Sequence, residues 1–273
     1  MNERPFRFGV SLLQGGSTPL WATRVRQVED LGYDVLQVPD HLGMVAPFPA
    51  LAAAAEVSPN LTVGTYVLNG GVLSPGYLAR DAAELWRLSG GRFELGLGAG
   101  YVEAEFEAAG VPFGTPGDRL RKLTSLITET RVLLAAQADK PRPPIMVAGV
   151  GDRILTMAAA HADIISFPIH AGFGPGLGRR VSVVRAAAGG RDIELNLFVA
   201  AVGDTIDEVD LSMISKASGM TAQQLAEMPG VLAGSPAELA ERLLRYREEW
   251  GLSYISVLEP HMAAFAAVIP LLR

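Results

Sequence analysis

His41 is the residue best suited to proton chemistry. It follows Pro39 and Asp40 at the end of an apolar run, and an imidazole takes up and releases protons near neutrality. Asp40 beside it could orient the ring or contact a ligand. The other apolar runs end in a similar way: Ser11 to Gly16, Leu68-Asn69-Gly70, Gly98-Ala99-Gly100, Gly149-Val150-Gly151 and Phe167-Pro168. Taken together, these ends hold one histidine with an adjacent carboxylate, one amide and many glycines. No second acid or histidine completes a triad. No Glu-x-x-His or spaced histidine pair offers a metal site, so no metal is expected. A glycine-rich site with so few reactive groups suits a bound organic cofactor, which would carry the chemistry itself.

Two glycine clusters have different geometry. Gly149-Val150-Gly151 runs straight into a helix that starts at Asp152. Free N–H groups there would hold a phosphate, with Arg153 adding positive charge; the alternative is a tight turn with nothing bound. Gly96, Gly98 and Gly100 alternate within and after a strand. They do not open a helix, so the dinucleotide fingerprint fails. Glycines at a strand end would let a flat ligand approach the backbone.

The elements that must position these groups alternate. Predicted strands cover 6–11, 34–38, 61–68, 92–98, 144–148, 163–167, 193–201 and 254–258. Helices are predicted between them, among them 19–31, 75–88, 118–136, 152–161, a long one at 206–227 with a break near Gly219, and 236–250. Proline at the helix starts and glycine at the stops support the boundaries. Strands alternating with helices pair in parallel, and eight such units close a (β/α)8 TIM barrel. The competing architecture is a doubly wound open sheet. No composition break marks a linker, so residues 1–273 are expected to form one domain.

The bulk composition excludes several functions. The 273 residues carry a net charge of −6, which argues against a nucleic-acid surface. There is no cysteine, which removes disulfides and thiolate chemistry. No signal-peptide pattern or membrane-spanning apolar run is present, so a cytoplasmic protein that uses neither a membrane nor a nucleic-acid partner is expected.

Several strings in order carry a more specific signal: Val38-Pro39-Asp40-His41, residues 63–69, residues 78–83, Ala148-Gly149-Val150-Gly151, and above all Leu88-Ser89-Gly90-Gly91-Arg92-Phe93-Glu94-Leu95-Gly96-Leu97-Gly98-Ala99-Gly100-Tyr101. This order resembles the luciferase-like monooxygenase superfamily, in particular its coenzyme F420-dependent oxidoreductase branch. The similarity covers most of the chain to about Phe167. It implies a barrel with a deazaflavin ring at the C-terminal mouth, and a bulge after strand three, often with a non-prolyl cis peptide, mapping near residues 67–70. It also implies a phosphate site at Gly149, Val150, Gly151, Asp152 and Arg153. Asp40, Leu68, Asn69, Gly70, Gly98, Ala99 and Gly100 would contact the cofactor, with His41, supported by Asp40, in the catalytic role. Asn69 reads equally as a turn residue before Gly70.

The sequence departs from the family's pattern in two places. Leu73-Ser74 stands where many relatives carry Arg-His, and Tyr101 stands where tryptophan is frequent. His161 is expected to be structural, a cation at a helix C-terminus. His170 and His261 are weaker mouth candidates. Glu103 and Glu105 are expected to be solvated loop acids, and Arg179-Arg180 a solvated helix start. The implied function is hydride transfer between F420 and a small or peptide-borne organic substrate, in a protein of a commonly dimeric family. The alternatives are an FMN-dependent monooxygenase, a non-catalytic flavin-binding barrel, and a cofactor-free hydrolase. The scarcity of paired carboxylates at the strand ends counts against the last.

Overall fold

The structure is a computed structural model that describes residues 4–137, 142–168 and 176–273. In chain order the elements are β1 (Arg7–Ser11), α1 (Thr18–Asp30), β2 (Val35–Val38), α2 (Pro47–Val57), β3 (Thr62–Thr65), β4 (Leu68–Asn69), α3 (Pro75–Leu88), β5 (Phe93–Gly98), α4 (Glu103–Ala108) and α5 (Pro116–Ala136). Then follow β6 (Ile145–Ala148), α6 (Asp152–His161), β7 (Ile164–Phe167), α7 (Leu177–Ala187), β8 (Glu194–Val199), β9 (Ala201–Gly203), α8 (Ser212–Ser218), α9 (Ala222–Ala226), β10 (Val231–Ala233), α10 (Pro236–Trp250), β11 (Leu252–Leu258) and α11 (Met262–Ala266).

Local chemistry sets the helix ends. Proline sits in the first turn of α1, α2, α3, α5 and α10, where its missing N–H costs nothing. Thr115 with Asp118, and Ser235 with Glu238, form reciprocal capping boxes. Ser17 and Ser74 stand at the N-cap positions of α1 and α3, but their side chains make no capping bond.

The staves run β3-β2-β1-β11-β8-β7-β6-β5, and β3 pairs back to β5. Every pairing is parallel. The β3–β5 pairing closes the (β/α)8 barrel and rules out the open sheet. Strand three is not the single run expected at 61–68. It is two segments, β3 and β4, separated by a cis peptide bond between Tyr66 and Val67, just before the stretch to which the resemblance maps the bulge.

The region after β8 also differs from expectation. β9 pairs in parallel with β10 as a separate two-stranded sheet. The helix expected at 206–227 is a short 3-10 turn followed by α8 and α9, broken at Gly219 with φ 71°. Its buried apolar residues Val209, Leu211, Ile214, Met220 and Leu225 do not keep one helical period, so no continuous helix could bury them all.

Side chains fill the barrel lumen from the base upward. Arg7 donates to Glu94 (2.6 Å) and, through two nitrogens, to Glu194 (3.0 and 2.8 Å). The Tyr254 hydroxyl donates to Glu94 (3.2 Å) and accepts from Gln37 Nε2 (2.9 Å). Burial raises the pKa of the Glu94 carboxyl against the opposing pull of Arg7. Above this layer the Tyr66 hydroxyl meets Ser166 Oγ (2.5 Å), Ser166 donates to Asn196 Oδ1 (2.6 Å), and Asn196 Nδ2 donates to Ser256 Oγ (2.8 Å). With the lumen filled, a ligand is left the mouth at the strands' C-terminal ends.

Candidate active site at the barrel mouth

β2 delivers His41 to the mouth. After Val38 the chain passes through Pro39 and Asp40 and turns at 41–44, closed by the Met44 N–H on the His41 carbonyl (3.1 Å). Gly43 has φ 89°, as the third position of a type II turn requires. His41 Nδ1 lies 2.8 Å from Glu105 Oε1, and its Nε2 lies 3.1 Å from the Tyr101 hydroxyl. An ionised carboxylate has no proton to give, so Nδ1 carries the hydrogen. Nε2 is then free to accept from Tyr101. Burial, and next the negative charge of Glu105, raise the pKa of that phenol, so it keeps its proton at neutrality. The Tyr101 ring stands edge-on to the imidazole at 5.6 Å.

Asp40 does not orient His41. Its Oδ2 accepts the Asn69 N–H (3.0 Å), and Glu105 takes the orienting position instead. Consecutive residues of an extended segment point to opposite sides, so the neighbour in sequence is not the partner in space. Asn69 Oδ1 accepts from the Gly71 N–H (3.1 Å), which makes it a turn residue, and its Nδ2 faces Glu105 Oε2 at 3.4 Å. One network therefore joins Asp40, Asn69, Glu105, His41 and Tyr101.

The glycines explain how Glu105 arrives there. A Cβ on Gly96 would lie 2.0 Å from the Thr65 carbonyl oxygen, and one on Gly98 would lie 2.9 Å from Val67 Cγ2. These two make room for strand three. Cβ atoms on Gly71 and Gly100 would lie 2.2 and 2.7 Å from the Phe106 ring. Phe106 is buried in that seat and docks α4 on the mouth, which holds the preceding residue, Glu105, against His41. At Gly98 and Gly100 the protein's own atoms take the space that the missing side chains leave, so strand and helix packing by itself requires glycine at both positions. Leu68, paired opposite Leu97, and Gly70, whose N–H donates to the Gly98 carbonyl (2.9 Å), are also buried in this packing. Ala99 is half-buried.

Glu105 was expected to be a solvated loop acid, and the structure corrects this. The available signal was the pattern Val102, Phe106 and Ala109, an apolar face too short to announce a helix on its own.

The second cluster sits at the neighbouring stave. Gly151 precedes α6 with no side-chain cap, and nothing lies within 4 Å of the position its Cβ would take. The Gly149 N–H is already engaged by the Ser166 carbonyl (3.1 Å), while Val150 is half-buried and Arg153 exposed. Asp152 is held by Arg179 through two bonds of 2.8 and 2.6 Å, which lower its pKa. Arg179 thereby offsets a carboxylate that would oppose an anion. The open amides of the first turn and the nearby Arg153 fit a phosphate group.

The remaining candidates lie apart from this network. His161 ends α6, but burial, then Arg131 and Arg191, lower its pKa, so it is not the helix-end cation expected. Arg191 fills that role on the carbonyls of Ala159 and Ala162 (2.7 and 2.8 Å). His261 faces the β9 region, bonded to the Val202 backbone near Asp210. His170 lies outside the described residues. A shallow cleft lined by Arg7, Asp34, Asn60 and Arg273 opens at the opposite end of the barrel and holds none of the groups above.

The chain as a whole matches a known family. The luciferase-like monooxygenase model matches residues 5–269, and the chain belongs to that family. A 153-residue stretch is 28% identical to 5,10-methylenetetrahydromethanopterin reductase of Archaeoglobus fulgidus, covering 51% of this chain and 46% of that one. A 119-residue stretch is 29% identical to 4-hydroxyprotoasukamycin monooxygenase of Streptomyces nodosus subsp. asukaensis, covering 42% and 31%. These matches span less than half the length of the curated relatives. An F420-dependent secondary alcohol dehydrogenase, solved with an F420-acetone adduct, shares the fold with a TM-score of 0.78 at 16% identity, over 99% of this chain and 100% of that one.

Proposed function

We propose that the chain is an oxidoreductase that uses the deazaflavin coenzyme F420, as a reductase or in the reverse direction, on a small or peptide-borne organic substrate. The observation that carries this reading is the His41 imidazole, fixed between Glu105 and Tyr101 at the barrel mouth. When bound, F420 supplies or accepts a hydride. The rest falls to this chain's own residues. The paired proton passes between substrate and His41 Nε2 through the Tyr101 hydroxyl that is bonded to Nε2, which gives up one proton as it takes the other, and Glu105 fixes the tautomer. Asp40 steadies Asn69 and with it the Glu105 carboxylate. The first-turn amides of α6 and Arg153 would hold the phosphate. Support comes from the family, from the reductase among its relatives, and from the F420-dependent enzyme that shares the fold.

A second reading, an FMN-dependent monooxygenase, is favoured by the monooxygenase among the relatives. Parallel fluorescence titrations separate the two. Saturable quenching with F420, and none with FMN, is expected. Quenching with FMN alone, together with substrate-dependent oxygen consumption, would overturn the first reading.

A further inference from the structure

The rim around His41 is apolar where a turn is ordinarily polar. Leu42 is 70% exposed and Met44 42% exposed, in a turn of the kind that usually carries Asn, Asp, Ser or Gly. The patch continues on both sides. Tyr101, 66% exposed, abuts the His41 ring. In the other direction Val45 packs on Gly15, and Leu20, 51% exposed, packs on Gly16. The result is one apolar arc from Leu20 to Tyr101, with His41 set into it. Contiguous exposed apolar surface marks interaction sites, ligand-binding grooves among them, unlike scattered single residues, and His41 at its centre favours a ligand here.

The charges on this arc are one-sided. The two segments that meet at His41, 39–45 and 99–106, carry Asp40, Glu103 and Glu105 and no lysine or arginine. Arg24, beneath the arc, is tied to Glu259 and to the carbonyl oxygen of Gln14. The arginines near α6 lie on another part of the mouth.

We infer that the substrate reaching His41 is an uncharged molecule with a substantial apolar body, and that this arc discriminates against carboxylates, phosphates and sulfonates. The inference rests on the proposal that His41 marks the reacting side of the site. Leu42, Met44 and Tyr101 supply contact area for the apolar body. The carboxylates repel an anion brought to the same place.

A matched pair of dyes tests this, the neutral N-phenyl-1-naphthylamine and its 8-sulfonate, titrated by fluorescence into the protein with and without F420. The neutral dye is expected to bind about tenfold or more tightly than the sulfonate. Leu42→Glu and Met44→Glu should each weaken it by about tenfold or more, through lost apolar contact. Val132→Glu, on the exposed face of α5, should leave it unchanged. F420 affinity, read by polarisation of the coenzyme's own fluorescence, should be the same in all variants. Equal binding of the two dyes, or neutral-dye binding indifferent to both rim substitutions, overturns the inference. Failure of F420 to bind while the dye pattern holds refutes the cofactor reading alone and still supports an apolar-substrate rim.

Discussion

Glu105 gives His41 a defined tautomer because a carboxylate can only accept. Glu105→Gln replaces it with an amide that can donate or accept, so both tautomers are accommodated. Turnover is expected to fall about tenfold or more while F420 affinity holds. His41→Ala should cost about 10²–10⁴ in turnover, again with cofactor affinity kept. Steady-state kinetics beside a coenzyme titration check both. Parallel loss of affinity in the two variants would mean that the pair is structural. Asp40, His41 and Asn69 were legible as mouth positions because each ends or shortly follows a strand. Glu105 was not, since its partner lies 64 residues away and the meeting depends on where Phe106 is seated.

At the level of elements, glycine spacing in β5 and the loop after it reports packing between strands three and five and against α4. The sequence shows where side chains are absent but not what fills the space. Gly100 illustrates both constraints, with φ 77° and a Cβ position 2.2 Å from Asn69 Oδ1. Gly100→Ala is expected to destabilise the fold by about 1–3 kcal/mol and to loosen Glu105 from His41, which thermal denaturation and turnover would register together. Gly151→Ala is the contrast. It has an ordinary backbone (φ −82°) and open space around it, so the stability cost should be no more than that of an alanine N-cap, about 1 kcal/mol. Coenzyme affinity should nevertheless drop, because the added methyl enters the space beside the first-turn amides. Unchanged affinity in that variant would remove the phosphate from α6.

Across the whole molecule, the closed barrel was legible because hydrophobic runs alternate with helices, several of them opened by proline and stopped by glycine. The β9–β10 sheet and the broken segment before it were not, because their apolar residues follow no single period. The lumen's base layer was also hidden, since Arg7, Glu94, Glu194 and Tyr254 come from four strands far apart in sequence. Burial raises the Glu94 pKa above its ordinary value of 4.5. The folded state therefore binds this proton more tightly than the unfolded chain does. Its stabilising share is complete below the unfolded pKa and declines as pH rises, until the folded pKa is passed. Glu94→Gln should flatten the stability–pH curve above about pH 4.5, measured by urea denaturation at several pH values; an unchanged slope would remove Glu94 from the account. A crystal structure of the F420 complex would settle what the mouth holds. The deazaflavin ring is expected at the β4 and β5 ends, its phosphate at the start of α6, and His41 Nε2 on the ring's open side. A ring bound elsewhere, or His41 turned away from it, would contradict the account.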